Sequence, residues 1–157
     1  MAAKPVHVGL ISDTHGLLRP QALAALAGSD YIVHAGDIGD ADILEALRAI
    51  APVTAVRGNN DRGPWARDIP ETDVLRVGGF HLYAIHDIAE LDLDPAAAGF
   101  QVVVAGHSHK PGQQMRAGVL HVNPGSAGPR RFKLPVSVGR LRVTGAQVAA
   151  ELIELSV

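Results

Sequence analysis

Seven side chains in this sequence are of types that hold hard or borderline divalent cations, and they fall in five short clusters. These are Asp13 and His15 in Asp13-Thr14-His15, Asp37 after Gly36, Asn59 in Gly58-Asn59-Asn60-Asp61, His86, and the pair His107 and His109 in Gly106-His107-Ser108-His109. Only two of the seven are acids. Two carboxylates sharing a pocket without a cation repel and raise one another's pKa. A divalent ion removes that conflict and lowers the pKa of a coordinated water from ~15.7 to about 7. Such a donor set suits two ions sharing a bridging carboxylate, with water or hydroxide in the remaining positions. Ions roughly 3.5–4 Å apart stabilise both the attacking and the leaving oxygens of an in-line displacement, the requirement of phosphoester hydrolysis. There is no cysteine, which excludes thiolate ligands and disulfides. Imidazole and carboxylate ligation suits Mn, Fe, Zn, Co or Ni.

Each cluster follows an apolar run: Val6–Ser12, Tyr31–Ala35, Val53–Arg57, Phe80–Ile85 and Val102–Ala105. Short apolar runs bounded by glycine and polar residues read as buried strands. Open α/β sheets bind ligands beyond the carboxyl ends of their strands, so one rim would gather all five clusters. The i, i+2 spacing of Asp13 with His15, and of His107 with His109, predicts side chains on one side of an extended segment. Helices are predicted over Pro20–Ala27, started by proline, and over Asp40–Ile50. The second has Ile43, Leu44, Leu47 and Ile50 at helical spacing, Asp40 as N-cap and Pro52 beyond its end. This β-α-β-α-β order is the sign of a parallel sheet with crossover helices. The second half reads as mostly strand. A hairpin joins Asp73–Val77 to Phe80–Ile85 through Gly78-Gly79, and a short helix is expected around Pro95–Ala98. Strands follow at Gly118–Val122 and Val136–Arg140, with a last hairpin of Leu141–Val143 and Val148–Leu155. Two facing sheets with helices outside would bury these runs in one domain over residues 1–157.

With 47% hydrophobic and 19% charged residues, the chain of 157 is globular. A net charge of −2 argues against a stable, sequence-blind nucleic-acid partner, which needs a positive face. A small phosphorylated substrate is compatible with it. No apolar segment spans a bilayer and no signal-peptide pattern is present, so no membrane association and a cytoplasmic location are expected.

In this order, the five clusters resemble the calcineurin-like metallophosphoesterase superfamily, and more narrowly its small bacterial and archaeal phosphodiesterases. Asn123-Pro124-Gly125-Ser126 followed by Pro129-Arg130 is similar to a late motif of that subgroup. The resemblance spans about Val6 to Arg131. It implies an α/β, four-layer αββα sandwich, two facing mixed β-sheets flanked by helices. It implies one ion on Asp13, His15, Asp37 and His109 and a second on Asp37, Asn59, His86 and His107, with Asp37 bridging. The cofactor would be two divalent ions per chain, manganese foremost. Asp37, Asn59, Asn60 and His107 would serve catalysis, on a small phosphodiester substrate. A phosphomonoesterase, a pyrophosphatase or a non-catalytic scaffold of the same fold are the alternatives. A retromer subunit is of the last kind, though a scaffold need not keep all seven donors. Small relatives are often dimers, and the apolar C-terminal hairpin, Leu141–Leu155, would either seal the second sheet or join two subunits as a homodimer.

Two positions depart from that pattern. Asn60 stands where relatives carry His or Cys, so it offers a neutral hydrogen bond in place of a proton. Asp87 follows His86 where glycine is common; it reads as a solvated loop acid, with orientation of that imidazole as the alternative. Further candidates are Asn60 and Arg130, with Arg131, as phosphate contacts, a solvated basic turn being the alternative for the two arginines. Arg57 would neutralise a nearby carboxylate. Trp65 would cover the core, and His7, His34, His81 and His121 read as structural.

Overall fold

The computed structural model describes residues 4–145 and 147–157. The chain runs β1 (Val6–Ile11), α1 (Pro20–Leu26), β2 (Tyr31–His34), α2 (Ala41–Arg48) and β3 (Val53–Ala55). Next come β4 (Thr72–Val77), β5 (Phe80–Ile85), β6 (Val102–Val104), β7 (Gly112–Arg116), β8 (Val119–Asn123), β9 (Ser137–Thr144) and β10 (Gln147–Glu154). Ten strands form two five-stranded sheets, ordered β10-β9-β1-β2-β3 and β4-β5-β6-β8-β7. In the first, β1, β2 and β3 are parallel, and β9 runs antiparallel to both of its neighbours, β1 and β10. In the second, β5, β6 and β8 are parallel and the edges β4 and β7 antiparallel.

Alternation along β1 explains the layering. Val8 and Leu10 point into a core between the sheets, meeting Leu82, Ala84, Val102, Val104 and Leu141. Ile11, on the opposite face, joins Leu26 of α1 and Leu47 of α2 in a second core. The two helices thus cover the outer face of the first sheet. Asp40 caps α2 as expected, its carboxylate accepting from the Asp42 amide.

The outer face of the second sheet is covered differently. No regular helix forms around Pro95–Ala98, where turns replace it; a 3-10 turn lies earlier, at Ile88–Glu90. Asp94 accepts from the Ala96 and Ala97 amides, and Gly99 at φ 88° ends the turn after one revolution. Leu91, Leu93 and Phe100 from this segment still pack on Tyr83, Ile85 and Val103, so the fourth layer exists in irregular form. β7 was not legible in the sequence. Gln113 to Arg116 are exposed and carry no apolar alternation, and backbone pairing to β8 alone makes them a strand. The separate runs expected at Val136–Arg140 and Leu141–Val143 are one strand, β9.

Candidate metal centre

The carboxyl ends of β1, β2, β3, β5 and β6 lie on one rim, and hydrogen bonds extend their pairing into the loops. The Asp13 amide donates to the Gly36 carbonyl, and the His15 amide to that of Asp37, both at 2.9 Å. The Gly106 amide donates to the His86 carbonyl, also at 2.9 Å. These contacts bring segments far apart in sequence to within side-chain reach.

Asp13, His15 and His109 present ligand atoms that all lie within 4.8 Å of one another, and so do Asp13, Asp37 and His86. Asp13 Oδ1 is 3.4 Å from His109 Nε2 and 3.7 Å from His15 Nε2. Asp37 Oδ2 is 3.3 Å from His86 Nε2 and 3.7 Å from His15 Nε2. Asp37 therefore faces both groups of imidazoles. His107 Nδ1 lies 3.3 Å from His86 Nε2, on that side of the site. Asn59 is exposed and shares a cleft of about 360 Å³ with Arg57, His86, Asp87 and His107.

Backbone conformation, rather than strand alternation, produces this convergence. Asp13, His15, Asp37, His107 and His109 all have φ between 46° and 69°. Such left-handed conformations are uncommon outside glycine and cost on the order of 1–3 kcal/mol each, persisting only where the surroundings over-determine them. The i, i+2 expectation is thus corrected. Asp13 and His15 do meet, but through left-handed turns, while His107 and His109 diverge, one toward His86 and the other toward Asp13. Two glycines permit the close approach. A Cβ on Gly58 would collide with the Asp37 carboxylate and amide, and one on Gly106 with the Ser12 hydroxyl and Asp13.

The hydrogen bonds aim particular atoms inward. Asp13 Oδ2 accepts from the Ser12 hydroxyl at 2.7 Å and from the His107 amide at 3.1 Å. Asp13 Oδ1 is buried and has no donor. His86 Nδ1 meets the Ala35 carbonyl at 2.7 Å, which directs Nε2 to Asp37. The Asn60 amide donates to Asp37 Oδ1 at 2.9 Å, and its side-chain Nδ2 to Oδ2 at 3.3 Å.

Charge follows from these contacts. Burial pushes the Asp13 pKa up, only partly offset by the Ser12 hydroxyl and by His86 and His109. Burial acts the same way on Asp37, but the His86 imidazole and the Asn60 amide outweigh it and hold its pKa at about 2. Burial lowers the His86 pKa, yet the hydrogen bonds to Asp37 and Ala35 leave it raised. Burial, with Arg131 nearby, lowers that of His109.

Other predicted residues take varied places. Asp87 does not orient His86; its carboxylate caps the Ala89 amide and sits 3.7 Å from His107 Nε2. Arg57 pairs with Glu71 at 3.2 Å. Trp65 packs on the helix-side core. Arg130 and Arg131 are exposed. His34 is fully buried, bonded to the Thr14 hydroxyl and the Gly36 amide. Asp61, the last residue of the Gly58-Asn59-Asn60-Asp61 cluster, accepts from the Ile38, Gly39 and Gly58 amides and ties two site loops together. Its signal was an acid closing a glycine-bearing turn. Asn123 likewise holds the Gly106 carbonyl and the Ser108 hydroxyl.

Comparison with known proteins agrees with this geometry. The sequence model of the calcineurin-like phosphoesterase superfamily domain matches residues 6–146, and the chain belongs to that superfamily. A probable metallophosphoesterase of Methanothermobacter thermautotrophicus is 34% identical over 158 residues, covering 93% of this chain and 91% of that protein. Phosphodiesterase YfcE of Escherichia coli K12 is 29% identical, covering 83% and 84%. Among solved structures, vacuolar protein sorting 29 from Cryptosporidium parvum superposes with a TM-score of 0.78 at 21% identity, covering 99% and 100%. An archaeal phosphodiesterase superposes with a TM-score of 0.77 at 20% identity, covering 94% and 100%. The fold is that of the metallophosphoesterases, and the archaeal and bacterial relatives are those the motifs implied.

Proposed function

We propose that residues 1–157 form one metallophosphoesterase domain that hydrolyses phosphodiesters with two divalent cations, manganese foremost and Fe, Zn, Co or Ni chemically compatible. The observation that carries this reading is Asp37, whose Oδ2 faces His15 on one side and His86 on the other. The donors fit such a pair. A buried carboxylate oxygen with no hydrogen-bond donor is costly, and a cation beside Asp13 Oδ1 would satisfy it. One ion would be held by Asp13, His15, Asp37 and His109, the other by Asp37, Asn59, His86 and His107. When bound, the ions supply an acidified water as nucleophile and neutralise charge on the phosphate.

The chain's own groups set the conditions for that chemistry. Ser12 and the His107 amide occupy Asp13 Oδ2, so this acid offers a single oxygen. The Ala35 carbonyl fixes the His86 tautomer. Asn60 pins Asp37 by both its amides and has no proton to give a leaving oxygen. Substrates with acidic leaving groups are therefore favoured. Phosphodiesterase-named relatives support diesters as the substrate class.

The test is hydrolysis of bis(p-nitrophenyl) phosphate with added Mn²⁺ by wild type, Asp37→Asn and His107→Ala. Wild type turns over, and Asp37→Asn loses at least ~100-fold, because a shared ligand affects both ions. Equal rates in all three contradict the proposal. Parallel assays on p-nitrophenyl phosphate and inorganic pyrophosphate separate diesterase from monoesterase and pyrophosphatase action.

A further inference from the structure

The cleft beside His86 and His107 adjoins a second one at Asn59. This neighbour, of about 550 Å³, is lined by Arg57, Asn59, Arg62, Arg67 and Glu71. Arg57, Gly58, Asn59 and Glu71 line both. Three arginines thus line a space that shares a wall with the cleft beside the candidate metal centre. One acid of this wall neutralises one of them, and the other acid is turned away. Glu71 engages Arg57, and Asp61 turns its carboxylate to backbone amides. Among the described residues the arginine ion pairs are Arg48–Glu45 and Arg57–Glu71, which leaves Arg62 and Arg67 without a carboxylate partner.

The loop that carries these two arginines is anchored. It forms a 3-10 turn at Pro64–Ala66, Ala66 is buried, and Trp65 packs on the helix-side core. The Arg67 amide donates to the Pro64 carbonyl at 3.3 Å. Unpaired guanidiniums on a fixed turn are built for an anion, and their planar donor fork matches phosphate.

We propose that this arginine cleft is a second anion subsite, and that the preferred substrates are phosphodiesters carrying a further phosphate on one alcohol arm. The inference rests on the phosphodiesterase reading above. The scissile diester lies at the metal centre, and the second phosphate reaches past Asn59 to Arg62 and Arg67.

A matched pair of chromogenic substrates tests it: thymidine 5′-(p-nitrophenyl phosphate) and the same compound bearing a 3′-phosphate. With Mn²⁺ at low ionic strength, wild type favours the 3′-phosphorylated compound about tenfold in kcat/KM. The ratio falls toward one in Arg62→Gln/Arg67→Gln, and falls in wild type at about 0.5 M NaCl. Equal kcat/KM for the two compounds overturns the subsite and leaves the phosphodiesterase reading standing. A preference that survives the double substitution also overturns it, since the anion then binds elsewhere. Failure to hydrolyse either compound overturns the reading beneath it.

Discussion

Hydrogen bonds hold one oxygen of Asp13 and both oxygens of Asp37. Asp13 Oδ2 is occupied by Ser12 and the His107 amide, while Oδ1 is bare. Asp37 is gripped by Asn60 through both of that residue's amides. Asn60 thus acts on a carboxylate where a histidine would offer a proton. Asn60→His is expected to raise rates on diesters with alkyl leaving groups while changing aryl diesters little. A leaving-group series plotted against pKa shows this as a shallower slope, and an unchanged slope refutes it. His34 makes a separate, stability-linked prediction. Its ring is fully buried and neutral, and burial, followed by the charge of His86, lowers its pKa from 6.5 to about 3. The unfolded chain takes up this proton first. The contribution to stability is complete above pH 6.5 and is lost as pH falls toward 3, by up to about 1.4 kcal/mol per pH unit. Urea unfolding from pH 7.5 to 4 should show a gentler decline in His34→Gln than in wild type. Parallel declines would exclude this role.

The loops after the strands, more than the strands themselves, shape the site. Asp61 is the fastening between the loop after β2 and the loop after β3, taking three backbone amides into one buried carboxylate. Asp61→Ala leaves those donors without their partner, and the expected loss is about 3 kcal/mol. For a chain of this size that is a fall in Tm of roughly 6–12 °C, measured by calorimetry without added metal. A change under about 2 °C would mean that water replaces the carboxylate freely. At this scale the sequence was readable where burial writes a pattern. β1, β2, β5 and β6 have buried faces on both sides and read as apolar runs. β7 is exposed from Gln113 to Arg116, so no hydrophobic signal marks it. The turns at Asp94–Gly99 borrow a helical composition but stop at a glycine with positive φ.

Over the whole molecule, the two sheets share one core, and their parallel strands deliver five loops to one rim. The residue types that meet at this rim were legible because their side-chain chemistry and order survive in the linear sequence. The mode of convergence was not, because left-handed backbone at five of them depends on contacts between loops distant in the chain. The arginine cleft was equally hidden, since Arg57, Arg62 and Arg67 form no motif until a core-anchored turn sets them around one space. Paired cations are the claim on which the enzymatic account depends, and direct counting tests it best. Manganese titrated into chelator-stripped protein, followed by calorimetry and metal analysis, should load two ions per wild-type chain and at most one in Asp37→Asn. A wild-type chain that binds none, or an Asp37→Asn chain that binds two with unchanged affinity, would contradict it.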